Sequence, residues 1–314
     1  MFVPIQLRCS VVGMVLCIVH AAAPARAQTP AGLDPQRIGA LAGTNATQTP
    51  DGVVRLAWPR SDIHANVDGT DLPPFAGLTS WAAFQSDPKS EAMVMGDLVL
   101  LQDEVNPVMD VLFEHGLSVT ALHNHFFYDE PRVYFMHIGG QGTVAQLVPA
   151  VRAAMEKVHA IRSAAPQPPR SLGDAPPTGA SSITPKPIEE IFKQTADQKD
   201  GMLKVTVGRT TKMSCGCTVA SAMGVNTWAA FLGTDEHALV DGDFACLPGE
   251  LQATLRTLRK SGINIVAIHS HMEDESPRVI FLHYWGVGRA VELAQGVKAA
   301  LDAQKTAVAT AEKR

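Results

Sequence analysis

The sequence predicts an α+β fold made twice, as two tandem homologous units that each pair a mainly antiparallel sheet with packed helices. Three observations predict it. HNHFFYDEPRVYFMH at residues 123–137 returns as HSHMEDESPRVIFLH at residues 269–283. The offset of 146 between His123 and His269 also relates Asp97 to Asp243, Glu104 to Glu250, Gly116 to Gly262, Ala121 to Ala267, Pro131 to Pro277 and Phe135 to Phe281. Strand and helix signals follow one order in both copies, which is how a duplicated structural unit reads.

In chain order, residues 1–27 read as a secretory signal: Arg8 as basic start, a mostly apolar run over residues 9–23, and Ala25-Arg26-Ala27 as a small-x-small cleavage site. The run is too short for a stable membrane anchor, so a periplasmic or secreted protein is expected. The first repeat unit is assigned to residues 28–162, a Pro-, Gly- and Ser-rich linker to 163–187, the second unit to 188–304 and a tail to 305–314.

Each unit opens on a short helix (residues 35–43 and 187–196) and a strand (53–58 and 202–207). A strand around the repeated Trp-Ala-Ala-Phe block follows, at Trp81 and, offset by 147, Trp228, so one insertion separates the blocks. The indoles are expected in the core. Residues 92–101 and 238–247 are apolar strands. Residues 103–115 and 249–261 carry apolar side chains at helical spacing and stop at Gly116 and Gly262. Strands at 118–126 and 132–138, and at 263–272 and 278–284, read as hairpins, and helices at 144–161 and 290–304 close the units.

Losing Arg8 and Arg26 with the signal moves the formal charge from −5 to −7, the wrong sign for a phosphate-backbone binder, so no nucleic-acid partner is expected. With 46% apolar residues, the chain can bury a real core. Three cysteines remain, Cys215, Cys217 and Cys246, too few for a disulfide framework. Cys215-Gly-Cys217 has the form of a soft-metal or redox pair, present in one unit only.

The histidines carry the chemistry. Residues two apart in a strand share a face, so His123 and His125 point one way. A symmetric hairpin across residues 128–131 would set His137 directly opposite His123, about 5 Å away at Cβ; His269, His271 and His283 repeat the pattern. A lone histidine reads as a satisfied core polar group. Three on one face, present twice, read as ligands of a divalent transition metal, zinc foremost, with an open position suited to catalysis. Glu104 and Glu250, near the start of the helix before the histidine strand, are the candidate fourth ligands or general bases. Asp129, Glu273 and Glu275 read as solvated turn residues.

ALHNH with PRVYFMH, the preceding MVMGDLVLLQDEVNPVMDVL, and AMGVNTWAAF with SPRVIFLHYWGVG resemble the LppY/LpqO family of exported bacterial proteins over nearly all the mature chain. That resemblance implies export and the duplicated unit, and brings no assigned reaction. IGGQG follows His137 where that family carries further histidines, which makes the first site leaner. The His-x-His, hairpin, His order is locally similar to the zinc motif of acetolactate decarboxylases, with a spacing one residue longer. The function expected is an exported metal-dependent hydrolase or lyase acting on a small oxygenated substrate. The alternative is a non-catalytic periplasmic protein binding a metal or small ligand.

Overall fold

The structure, a computed structural model, describes residues 32–171, 173 and 175–311; the signal-sequence reading falls outside them. The first repeat runs α1 (Pro35–Ala42), β1 (Ala46–Gln48), β2 (Val54–Pro59), β3 (Ala65–Val67), β4 (Thr70–Leu72), β5 (Thr79–Ser86), β6 (Ala92–Leu101), α2 (Val105–Glu114), β7 (Ser118–His123), β8 (Asp129–Glu130), β9 (Val133–Gly142) and α3 (Val144–Ala164). The second repeats it as α4 (Pro185–Phe192), β10 (Asp197–Lys199), β11 (Met202–Gly208), β12 (Thr211–Lys212), β13 (Thr218–Val219), β14 (Asn226–Gly233), β15 (Ala238–Cys246), α5 (Leu251–Lys260), β16 (Asn264–His269), β17 (Ile280–Gly288) and α6 (Ala290–Ala311). The fold is the α+β duplication that the sequence predicts.

The two half-sheets join edge to edge into one 12-stranded antiparallel sheet, ordered β1-β2-β5-β6-β9-β7-β16-β17-β15-β14-β11-β10. The single-residue difference between the 146 and 147 offsets lies in one turn: five residues join Ser86 to Ala92, and four join Gly233 to Ala238. Helices cover one face. Leu98, Leu100, Leu122, Met136 and Ile138 from the first repeat and Phe244, Ile268, Leu282 and Tyr284 from the second meet them in one continuous core. The opposite face carries two small clusters, one around Val99, Val133 and Phe135 and the other around Ala245, Val279 and Phe281. Strand alternation is what divides these sets.

The seam between repeats is thin. Strands β7 and β16 register through one pair, Leu122 with Ile268. Both strands carry a register shift just before the seam, between Val119 and Ala121 and between Ile265 and Ala267. Such a shift leaves backbone groups without a ladder partner. Side-chain amides from the helix of the other repeat take them. Gln252 accepts from Val119 N–H at 3.1 Å and donates to Val119 C=O at 2.7 Å. Asn106, at the equivalent place in α2, accepts from Ile265 N–H at 2.8 Å and donates to Ile265 C=O at 3.1 Å. Arg256 adds bonds to the Phe113 and Leu117 carbonyls, and Arg259 pairs with Asp110.

An Asn106→Ala substitution removes a buried amide and strands both backbone groups of Ile265. A buried group left unpaired costs about 1–3 kcal/mol, so the unfolding free energy should fall by at least that amount, seen as a lower denaturant midpoint at unchanged m-value. An unchanged midpoint would show that solvent replaces the amide at no cost.

Candidate functional site

The six histidines lie on the sheet face away from the main helical core. In β9, Met136 and Ile138 enter that core while Val133 and Phe135 enter the smaller cluster, so His137 shares the second face. In β7, Leu122 points to the helices, which leaves Ala121 and His123 on the same face as His137. Ile268, Leu282 and Phe281 sort His269 and His283 the same way.

Side by side across the strands stand Trp81, Asp97, His137 and Ala121. The second repeat sets out Trp228, Asp243, His283 and Ala267. Continuing the register of the Leu122–Ile268 pair puts His269 next to Ala121 and His123 next to Ala267. Each row therefore reads Trp, Asp, His, Ala, His, and its last histidine comes from the other repeat. With strands about 4.8 Å apart, His137 and His269 stand about 10 Å from each other, with only a methyl group between.

The cross-strand register differs from the expected one by two residues. His137 faces Ala121, and His123 faces Phe135; His283 faces Ala267, and His269 faces Phe281. A shift of two keeps parity, so the shared face survives. The cause is the connection, which is no simple hairpin. Asp129 and Glu130 leave to pair with β3, and Ser276 bridges to Lys212. Asp129 and Glu275, expected as solvated, are buried and accept from Val133 N–H at 2.7 Å and Val279 N–H at 2.9 Å. They close the loops that carry His125 and His271.

His123 and His137 bring their Nε2 atoms to 3.1 Å. Ring centroids of His123 lie 5.2 Å from those of His125 and of His137; in the second cluster, His269 lies 5.0 Å from His271 and 4.7 Å from His283. The rings of the first cluster are stacked, within 26° of parallel, while in the second His283 is tilted by 39° against His269; His125 lies flat on Phe135, as His271 does on Phe281, each at 3.5 Å. Each triad is thus gathered around its central histidine, His123 or His269. Among the described residues, no three His, Cys, Asp or Glu side chains already converge on one ion. Burial, and then the neighbouring imidazoles, lower the pKa of His125 and His271; burial and His283 do the same for His269. Neutral imidazole is the form that ligates a metal.

The acids beside these rings are Asp97 and Asp243. Both Oδ1 atoms are buried without a hydrogen-bond partner. Asp243 stands 3.9 Å from His283 Nδ1 and 3.9 Å from His271 Nε2. Burial pushes its carboxyl up to about 6, against the pull of His283. The strand readings at 92–101 and 238–247 contained the signal for both: an acid inside an apolar strand, repeated at the 146 offset. Trp81 and Trp228 also belong to this face. They are half-buried under Arg55 at 4.8 Å and Lys204 at 4.3 Å, not part of the core.

Glu104 and Glu250, expected beside the histidines, are held elsewhere. Glu104 is fully buried, bonded to Arg60 at 2.8 and 2.9 Å, to Leu101 N–H at 2.7 Å and paired with Arg162 at 2.7 Å. Glu250 pairs with Arg209 at 2.9 Å and accepts from Leu247 N–H at 2.8 Å. They fasten the strand-to-helix corner, beyond the sheet face that carries the imidazoles.

A family profile matches the chain twice, at residues 36–157 and 186–303. The chain belongs to the family described as Domain of Unknown Function (DUF1259). The two matches coincide with the two halves of the sheet. No curated protein matches it. Similar solved structures include the trimeric bacterial microcompartment shell protein PduB, at 12% identity over 84% of this chain and 92% of that one, TM-score 0.20. EtuB from Clostridium kluyveri matches at 12% over 85% and 92%, TM-score 0.21. The double-ringed trimeric shell protein MSM0271 of the RMM microcompartment matches at 12% over 82% and 94%, TM-score 0.19. Overlap this loose carries no inference about fold or role.

A Glu104→Gln substitution removes the buried carboxylate that Arg60 and Arg162 share, leaving Arg60 to Asp62 and Arg162 to Asp103. It should destabilise the protein by about 1–3 kcal/mol, the cost of leaving buried hydrogen-bonding groups unpaired, and leave the stoichiometry of added Zn²⁺ equal to that of the wild type. Loss of metal with retained stability would return Glu104 to the site.

Proposed function

We propose that the chain is an exported metal-binding protein with two repeat-related centres. His123, His125 and His137 lie beside Asp97 in one, and His269, His271 and His283 beside Asp243 in the other. Each would hold a divalent transition metal, zinc foremost, and serve a hydrolase or lyase reaction on a small oxygenated substrate. The observation that carries this reading is the orphaned Oδ1 of Asp97 and Asp243, buried next to a triad in both repeats. A metal-ligating histidine commonly gives its second ring N–H to a carboxylate, which fixes the tautomer. His283 Nδ1 faces Asp243, so its Nε2 is the nitrogen left for an ion. In the other repeat, the facing Nε2 atoms of His123 and His137 are the pair that an ion would separate and bind. Neutral imidazoles and one carboxylate suit zinc.

His125 and His271, now stacked on Phe135 and Phe281, would complete each donor set. A divalent ion held there would supply Lewis acidity toward a carbonyl or water oxygen. This chain's residues do the rest: Asp97 and Asp243 orient imidazole and accept a proton, and the indoles of Trp81 and Trp228 flank the rows. The flat stacking on Phe135 and Phe281 favours a second reading, a non-catalytic binding protein whose rings form a platform for a metal or planar ligand.

Full-length protein made without an affinity tag or chelator and equilibrated with Zn²⁺ should carry about two equivalents. A double His269→Ala, His271→Ala variant should lose one while remaining folded. Asp243→Asn should weaken that centre by about 10–100-fold, the usual effect of an outer-shell partner. Unchanged stoichiometry by elemental analysis in the double variant would remove the second centre. Full metal loading with no turnover on a panel of esters and hydroxy- and keto-acids would favour the binding protein.

A further inference from the structure

The hairpins that brace the histidine loops differ between the repeats. In the first, β3 and β4 turn through Asp68-Gly69, and β3 pairs with β8. In the second, β12 and β13 are joined by a longer tip, residues 213–217, reading Met-Ser-Cys-Gly-Cys. This tip is tied down: Met213 N–H bonds to Cys217 C=O at 2.9 Å, and Gly216 N–H to Met213 C=O at 2.8 Å. Lys212 and Ser276 exchange backbone bonds, and Ser214 bonds to Asp274. Gly216 has φ +80°, a conformation that glycine adopts without strain. It brings the flanking cysteines together. Cys217 N–H donates to Cys215 Sγ at 3.4 Å, and both thiols are exposed and free.

We propose that Cys215 and Cys217 form a dithiol–disulfide exchange site for low-molecular-weight disulfides, with Cys215 attacking and Cys217 resolving. The Cys215 thiolate attacks one sulfur of RS–SR, forms a protein–S–SR bond and expels RS⁻. Cys217 gives its proton to solvent and attacks Cys215 Sγ, closing the Cys215–Cys217 bond and expelling the second RS⁻. The two protein thiols lose two electrons and two protons, and the disulfide leaves as two thiols. The backbone N–H on Cys215 Sγ favours the thiolate at that sulfur. The thiol–thiol hydrogen bond is the larger cause and the backbone N–H the next, together lowering the pKa of Cys215, and the same thiol–thiol bond raises that of Cys217. Cys246, the remaining described thiol, is buried and pushed up to about 11, so it does not compete. A disulfide across one intervening residue closes a tight ring. Strained, exposed disulfides are the readily reduced ones, so the oxidised tip would pass its disulfide on.

The test uses the full chain with glutathione disulfide, quenched with acid, alkylated and mapped by peptide mass. The wild type should lose two hydrogens and join Cys215 to Cys217 with no lasting adduct. Cys217→Ser should accumulate a glutathione adduct on Cys215. Cys215→Ser should form its adduct at least about tenfold more slowly, because the attacking thiolate is gone. Equal rates in the two variants, or wild-type protein that carries two adducts or stays fully reduced, would overturn the assignment. Because the tip is exposed and the histidines are untouched, zinc stoichiometry in both variants reports separately on the metal centres.

Discussion

Two side-chain amides hold the sheet together at its weakest line. Only Leu122 and Ile268 pair across the seam, and each strand there is shifted out of register just before it. Without Asn106 and Gln252, the peptide groups of Val119 and Ile265 would be left without a partner at the join. A buried peptide group without a partner costs more than the average hydrogen bond contributes, so the amides convert a potential break into a joint. Because each amide comes from the helix of the other repeat, the same bonds also fix the two helical layers against the sheet. The site depends on that joint, since the rows of Trp, Asp, His and Ala meet across it.

The open face has a consistent electrostatic design. Imidazoles are stacked on one another and on phenylalanine, so burial and mutual repulsion keep several of them neutral at their half-exposed positions. The nearby acids, Asp97 and Asp243, are buried without hydrogen-bond partners at Oδ1. The glutamates one corner away are neutralised by arginine. One kind of carboxylate has its charge settled within the fold, and the other keeps an acceptor unused. That contrast, with the position of Asp97 and Asp243 beside the imidazoles, is the ground for proposing them rather than Glu104 and Glu250 as the acids of the two centres.

Much of the fold was legible because it was written twice. The repeat offset, the strand–helix order and the helix stops at Gly116 and Gly262 came from pattern alone. The common face of the histidines followed from a period of two, which tolerates a register error of two residues. What pattern could not supply was the path of residues 124–132, where a tertiary pairing with β3 replaces the hairpin and resets the register. Glu104 and Glu250 were misplaced because a short distance in sequence from a strand end says nothing of the side of the corner on which the carboxylate falls. Asp97 and Asp243 were within reach, since a charged residue inside an apolar strand is costly unless it has a purpose. Trp81 and Trp228 were misread because an indole next to apolar residues looks like core until the strand parity of the aspartates is fixed.

The repeats share a scaffold and differ in what finishes it. The Val99 carbonyl is bonded by Arg60 at 2.7 Å, while its counterpart on Ala245 is bonded by Gln304 at 3.3 Å. Glu104 is held by two arginines and Glu250 by one. Such swaps preserve satisfied polar groups with different side chains, as expected when only the backbone need is constrained. The three histidine pairs, Asp97 and Asp243, Trp81 and Trp228, and Ala121 and Ala267 show no such swap, whereas Asp241 and Trp285 of the same face stand where the first repeat has Met95 and Gly139. The identities in the Trp, Asp, His and Ala rows are kept in both copies, although the neighbouring positions of that face show that it accepts substitutes. Identity retained in those rows where packing does not require it is the ground for the proposed placing of the chemistry on the face that the two repeats build together.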